Sequence, residues 1–166
     1  MACESSVAFA RLDHSGRALG LAVGCRPEVM LMDAEIGALD AVYYPAFQLA
    51  IKGAETLAVT DCLNFGNPQK PEIMSEFVAS VEAIAKASQQ LNAPVISGNV
   101  SFYNETLGEN IISTPDLKLS AYKYDSDDPH YSTKKGIIAA RCKDYRKTGR
   151  NLRNVWAINP EPQRLL

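Results

Sequence analysis

The segment Pro71–Leu91 constrains the fold most, because its apolar residues recur at the spacing of an α-helix. Pro71 suits the first helical position, and Glu72 suits the positive N-terminal end of the helix dipole. Asn92 follows as a C-terminal cap. The predicted inward face comprises Ile73, Phe77, Val81, Ile84, Ser88 and Leu91. A helix of this kind must lie against another layer of the protein.

Short apolar runs on both sides of this helix predict buried strands. A second helix is predicted over Ala34–Lys52, with Gly53 just past its end, and Pro45 inside it predicts a kink or a break. The predicted strands are Ala18–Val23, Val29–Met32, Thr56–Thr60, Pro94–Ser97 and Ile111–Thr114. This alternation predicts a sheet covered by helices.

The charge of the chain changes sign near Leu117. Residues 1–117 carry 6 Lys and Arg against 14 Asp and Glu, whereas residues 118–166 carry 11 against 5. Apolar periodicity stops at the same point. We predict a partial domain over 1–117 and, over 118–166, a basic tail that is disordered or read out of frame. Phosphate contacts from this tail to nucleic acid are the less favoured alternative.

Composition argues against several other classes of protein. A net charge of −2 gives no reason to expect nucleic acid or an anionic membrane as partner. The four cysteines have no C-x-x-C spacing, which argues against a zinc site. No apolar run approaches the roughly 20 residues of a membrane helix. The first residues lack the basic region and the long apolar core of a secretory leader, so we expect none. We therefore expect a cytoplasmic protein with reduced thiols.

Two polar segments, each following a predicted strand, carry the groups that could bind a ligand. They are TDCLNFGNPQKPE at 60–72 and SGNVSFYNE at 97–105, and we expect both to be loops at the carboxyl ends of strands, where ligands tend to bind. The candidate groups are the Asp61 carboxylate, the amides of Asn64, Asn67 and Asn99, the backbone at Gly66 and Gly98, and the Ser101 hydroxyl.

These groups suit a nucleotide with magnesium. Carboxylate and amide oxygens are hard ligands that favour Mg²⁺, and glycines let backbone N–H groups approach a phosphate. The chain has no G-x-x-x-x-G-K-[ST] loop, which excludes a P-loop site. From composition alone, a purely structural role is favoured, because Asp, Asn and Gly are ordinary turn residues.

Both segments closely resemble the second, C-terminal synthetase repeat of the phosphoribosylformylglycinamidine synthase family. The resemblance covers roughly residues 18–115. It implies an α+β fold, a partial domain like the N-terminal domain of aminoimidazole ribonucleotide synthetase, with a mixed sheet backed by helices. It also implies that Asp61 and Gly98 contact ATP, Asn99 is a Mg²⁺ ligand and Ser101 contacts formylglycinamide ribonucleotide.

The activity implied by the resemblance is an ATP-dependent ligase of purine synthesis. It converts formylglycinamide ribonucleotide, ammonia and ATP to formylglycinamidine ribonucleotide, ADP and phosphate. The ammonia comes from a glutaminase domain or subunit. The family's catalytic histidine motif lies in the first repeat, and neither His14 nor His130 matches it. We assign no catalytic residue and expect the isolated chain, without the remaining synthetase domains, to be inactive.

Two alternatives stay open at this point. One is a non-catalytic nucleotide-binding or assembly module, and the other is a different ATP-using member of the same superfamily. Because the resemblance ends abruptly near residue 116, we expect a frameshift or truncation there. A sheet without its partner would leave apolar surface exposed, which predicts self-association.

Overall fold

A computed structural model describes residues 7–12 and 17–123 of the chain. The five strands of the main sheet are β1 (Val7–Arg11), β2 (Ala18–Gly24), β3 (Ala54–Asn64), β4 (Val95–Ser101) and β7 (Thr114–Lys123). The helices are α1 (Pro27–Met32), α2 (Ala34–Ile51) and α3 (Pro71–Leu91). A short hairpin pairs β5 (Glu105–Thr106) with β6 (Glu109–Asn110).

The main sheet is mixed, as the resemblance implies. Its strand order is β1-β2-β7-β3-β4. The β3–β4 pair is parallel and the other three pairs are antiparallel. Because β3 and β4 are joined through α3, the ends of these two strands lie at the same edge of the sheet.

Helix α2 packs directly on the sheet because β2 presents small residues to it. A Cβ added to Gly20 would lie 3.1 Å from Cδ2 of Leu49, and one added to Gly24 would lie 2.6 Å from Cδ of Pro45. Pro45 is fully buried and α2 runs through it without interruption, so the predicted break is wrong. The tight packing of its ring against Gly24 stabilises a residue that is unfavourable in an isolated helix.

Helix α3 confirms the prediction for Pro71–Leu91 at both ends. Asn92 adopts the left-handed conformation, with φ of 51°, and its N–H bonds the last turn of the helix. Tyr43 donates a hydrogen bond from its hydroxyl to Gln90, which ties α2 to α3. The buried residues of α3 are Ile73, Ser80, Ala83, Ile84, Ala87, Ser88 and Leu91.

The predicted strand at Val29–Met32 is wrong, because these residues belong to α1. Pro27 occupies the first turn, and Asp33 then accepts a bond from the N–H of Ile36 at 2.9 Å to start α2. A run of four apolar residues fits a strand or one helical turn equally well. Proline and the capping aspartate decide in favour of helix here.

A partly buried ion pair joins the start of α1 to α2. Nε of Arg26 donates to Asp40 at 2.7 Å, and a second guanidinium nitrogen contacts the other carboxylate oxygen. The guanidinium also lies 4.7 Å from the ring centroid of Tyr44. Asp40 is only 2% exposed, so Arg26 supplies the counter-charge that a buried carboxylate needs.

Strand β7 begins at Thr114 rather than at Ile111 and continues past the predicted boundary. Leu117, Leu119 and Ala121 are buried on alternate positions, and β7 pairs with β2 on one side and β3 on the other. Residues 118–123 are therefore part of the sheet. The predicted basic tail beyond them lies outside the described residues, and its separate character stays a prediction.

Three phenylalanines form a cluster between the end of β3 and α3. Phe65 is fully buried, with its ring centroid 5.3 Å from that of Phe77 and 6.2 Å from that of Phe102. Phe77 and Phe102 meet edge to face at 5.1 Å. This cluster supports the chain where both polar segments leave the sheet.

None of the helices in residues 7–12 and 17–123 is long and apolar enough to cross a membrane.

Candidate functional site

The two polar segments lie side by side because β3 and β4 are parallel neighbours. Asp61 pairs with Gly98, Cys62 with Asn99, and Asn64 with Ser101. Both segments were expected to be loops, and that expectation is wrong for residues 60–64 and 97–101, which belong to strands. Strand β3 is paired on both sides, so its backbone ladder continues through polar positions regardless of the side chains.

The Asp61 carboxylate packs directly against the backbone of Gly98. A Cβ built on Gly98 would lie 2.5 Å from Cγ of Asp61. That distance is far shorter than two carbon atoms tolerate, so the carboxylate occupies space that only glycine leaves open. From the sequence, we expected glycine at position 98 to let a phosphate approach the backbone. The structure shows that glycine is also needed there because a side chain would collide with the Asp61 carboxylate.

The Asp61 carboxylate is partly withdrawn from water. Burial raises its pKa above the ordinary value, and a hydrogen bond from the backbone N–H of Asn99 opposes that rise. The group therefore combines a partly desolvated carboxylate with a hydrogen bond that orients it. Such a group binds hydroxyl or amino donors, or a cation, more strongly than a fully solvated one.

The predicted site residues divide between the two faces of the sheet. Asp61 is two residues away from the buried Val59 and Leu63, so these three side chains share the face that packs on the helices, and Gly98 lies beside Asp61. By the same alternation Asn99 and Ser101, paired with Cys62 and Asn64, share the opposite face. The structure thus brings Asp61 to Gly98 and Asn99 to Ser101, but it does not gather all four residues at one point.

The other two amides have structural partners. Asn64 donates from Nδ2 to the carbonyl oxygens of Cys62, at 3.1 Å, and Thr114, at 3.4 Å. The side-chain oxygen of Asn67 accepts from the N–H of Gln69 at 2.9 Å, which closes a turn. The structural interpretation of Asn67 is therefore supported over a ligand role.

In the described part of the chain, no group of three or more His, Cys, Asp or Glu residues is placed to hold a metal ion. A magnesium ion at Asn99 would take its other ligands from nucleotide phosphates, from water or from another part of the protein. Mg²⁺ commonly binds with few protein ligands and retains several waters.

Two asparagines that sequence reasoning gave no role hold the segment after β3. Asn110 accepts from the N–H of Asn67 at 2.9 Å, and a Cβ on Gly66 would lie 2.6 Å from Cβ of Asn110. Gly66 thus makes room for the hairpin. Asn104 donates to the carbonyl oxygens of Phe65 and Ser101. Asn104 lies inside the second polar segment, so its position in that motif was the available signal.

Comparison with known proteins agrees with this architecture. The family of AIR synthase related proteins, N-terminal domain, matches residues 7–116. The phosphoribosylformylglycinamidine synthase subunit PurL of Campylobacter concisus is 48% identical over 105 residues, which are 63% of this chain and 14% of that relative.

Two solved structures of PurL from Thermotoga maritima share the fold. One, complexed with ATP, has a TM-score of 0.66 and 29% identity over 71% of this chain and 20% of that chain. Another, complexed with FGAR, has a TM-score of 0.69 over 86% of this chain and 26% of that chain. Its 24% identity supports the fold alone.

The chain spans about 14% of the length of the curated relative it matches. The matched region contains the whole β3–β4 pair and the polar segments on it. The mixed sheet and the helices packed on it agree with the family match. The chain therefore belongs to the family of N-terminal domains of AIR synthase related proteins.

Proposed function

We propose that this chain is part of the synthetase that converts formylglycinamide ribonucleotide, ammonia and ATP to formylglycinamidine ribonucleotide, ADP and phosphate. The observation that carries the proposal is the Asp61–Gly98 contact on a parallel strand pair in a PurL-like sheet. Similarity to a PurL subunit at 48% identity supports this synthetase over a non-catalytic module.

The proposed division of roles follows the chemistry of each group. Asp61 and Gly98 contact ATP, since a partly desolvated carboxylate accepts hydrogen bonds from ribose or adenine and Gly98 lets that carboxylate lie against the strand. Asn99 ligates Mg²⁺ through its amide oxygen, and Ser101 bonds the ribonucleotide substrate. The T. maritima complex with ATP supports the choice of nucleotide.

In this reaction ATP activates the amide oxygen of the substrate, and ammonia then displaces phosphate. The protein's contribution is to position two substrates and to neutralise phosphate charge with Mg²⁺. We assign no proton transfer to this chain. Its two histidines, His14 and His130, lie outside the described residues.

The proposed partners are the remaining synthetase domains and a glutaminase domain or subunit that supplies ammonia. The relative is named as a subunit, which supports a larger assembly. Exposed apolar side chains on the sheet, including Val23, Leu57, Ile96 and Val100, support association of this chain with itself or with those domains. A single sharp sedimentation boundary at the monomer mass, at micromolar concentration, would contradict self-association.

A chimaera tests the function most sharply. Residues 7–116 would replace the matched segment of the C. concisus subunit, with the rest of that enzyme unchanged. We expect ADP formation that requires both formylglycinamide ribonucleotide and ammonia, and we expect Asp61→Ala in the same chimaera to reduce it. A soluble, folded chimaera without ATP turnover would overturn the proposal.

A further inference from the structure

We propose that Asn104 is a positioning residue that locks the carboxyl ends of β3 and β4 together and so fixes Ser101 for its substrate. The inference deepens the proposed function and rests on it for the role of Ser101. It rests on the structure alone for the lock itself.

The Asn104 side chain bridges two strands. Its Nδ2 donates to the carbonyl oxygen of Phe65, just past β3, at 2.9 Å and to that of Ser101, the last residue of β4, at 3.0 Å. Both acceptors are carbonyls, so only the NH₂ group of the amide can face them. An aspartate of the same shape would instead direct an oxygen at two oxygens.

Backbone bonds of the same short segment complete the lock. The N–H of Phe65 donates to the carbonyl oxygen of Ser101 at 2.9 Å, and the N–H of Asn104 donates to that of Phe65 at 3.2 Å. The N–H of Tyr103 donates to the carbonyl oxygen of Gly66 at 2.9 Å. The parallel pairing thus extends beyond the last ladder pair, Asn64 with Ser101.

The segment is held at a conformational cost. Tyr103 has φ of 59°, in the left-handed region that a bulky side chain rarely adopts. Phe102 is anchored in the aromatic cluster on one side, and Asn104 is anchored by its two bonds on the other. Strain of this kind persists only where the surroundings impose it, and it is concentrated at functional positions.

The consequence for binding follows from where the lock acts. Asp61 and Gly98 lie three residues before the ends of their strands, and their pairing does not depend on Asn104. The backbone carbonyl of Ser101, in contrast, is one of the two groups that accept a hydrogen bond from the Asn104 side chain. Loss of the lock should therefore disturb substrate binding at Ser101 much more than nucleotide binding at Asp61.

The test uses the full 166-residue chain and compares Asn104→Asp with Asn67→Asp. Both changes add the same charge in neighbouring segments, but Asn67 acts as an acceptor, so a carboxylate preserves its bond to Gln69. We expect amide hydrogen exchange at Phe65 to accelerate by about tenfold or more in Asn104→Asp only. Exchange at Val59, which bonds Pro94 at the other end of the strand pair, should not change.

A pH shift provides a rescue. Below the pKa of the carboxyl introduced by Asn104→Asp, its O–H can again donate to one of the two carbonyls, so protection of the Phe65 amide from exchange should partly return.

Equal acceleration of exchange at Val59 and Phe65, or none at either, would overturn the proposed lock.

Ligand titrations of the same variants separate the lock from the proposed function. Formylglycinamide ribonucleotide should bind Asn104→Asp about tenfold or more weakly than the wild type, with binding of Mg²⁺-ATP unchanged. Equal weakening of both ligands would reduce Asn104 to a structural role. If the wild type binds no formylglycinamide ribonucleotide, the proposed role of Ser101 fails, while the exchange data still decide whether the lock exists.

Discussion

The Asp61 carboxylate lies beside Gly98 in the space that any other residue at that position would fill with its side chain. The two residues are register partners on parallel strands, so the contact is built into the sheet. An aspartate and a glycine that are 37 positions apart in the sequence therefore act as one unit.

Gly98→Ala should displace the Asp61 carboxylate and lower the free energy of unfolding by about 1–3 kcal/mol, the usual cost of overpacking. Urea denaturation measures this loss. Adding Asp61→Ala should restore part of it, because the clash partner is gone. Equal losses with and without Asp61→Ala would show that the contact is not the cause.

Asp61 should make stability depend on pH in a defined direction. Burial raises its pKa in the folded state above the ordinary value of an aspartate, so on acidification the folded protein binds a proton before the unfolded chain does. Stability therefore rises as pH falls through the raised pKa and is lost as pH increases through it. Relative to Asp61→Asn, which does not titrate, the wild type should gain free energy of unfolding on acidification. A constant difference between the two proteins across that window would contradict the assignment.

Removing the charge of Arg26 should be costly because Asp40 would remain buried and unpaired. Arg26→Met should lower the free energy of unfolding by about 3 kcal/mol in urea denaturation. Lys86→Met is a matched control, since Lys86 lies 4.0 Å from Glu35 with both side chains largely exposed, and it should cost less than about 1 kcal/mol. Similar losses from both changes would show that the buried carboxylate of Asp40 does not make its ion pair with Arg26 more important than an exposed one.

Cys25 should react slowly with alkylating reagents. Burial, followed by the negative charges of Asp116, Asp40 and Glu28, raises its pKa from 9.0 to about 11. In a variant with the other three cysteines replaced by serine, alkylation at pH 8 should be about 100-fold slower in the folded than in the unfolded protein.

Asp116→Asn should lower the pKa of Cys25, because removing a nearby negative charge favours the thiolate. The rate of alkylation should then rise at a given pH. If Cys25 without the Asp116→Asn change is alkylated at nearly the same rate in the folded and the unfolded protein, its pKa is not raised.

The parts of the fold that the sequence predicted are those determined by local pattern. The periodicity, first-turn proline and capping asparagine of Pro71–Leu91 all act within the helix, and the helix has those ends. Val29–Met32 was misassigned because a short apolar run lacks a decisive period. The strand predicted at Ile111–Thr114 shares only Thr114 with β7, because the polar residues of β7 are held in the sheet by pairing with β2 and β3, which are distant in sequence.

The site shows the same division. The sequence predicted that the segments carrying Asp61 and Gly98 each follow a strand, and the structure shows that the two strands are parallel neighbours. Sequence could not reveal that Asn99 and Ser101 share the opposite face, because a strand residue's face depends on where the strand begins and on any bulge. The shift in register between Thr56 and Ala58 is one such feature.

The most direct test of the central claim is an NMR titration of the full chain with Mg²⁺-ATP, which detects binding as weak as millimolar. The account predicts that the amide resonances of Asp61, Gly98 and Asn99 shift together and that Asp61→Ala abolishes the shifts. Shifts confined to other parts of the chain, or none at millimolar nucleotide, would contradict a nucleotide site on the β3–β4 pair.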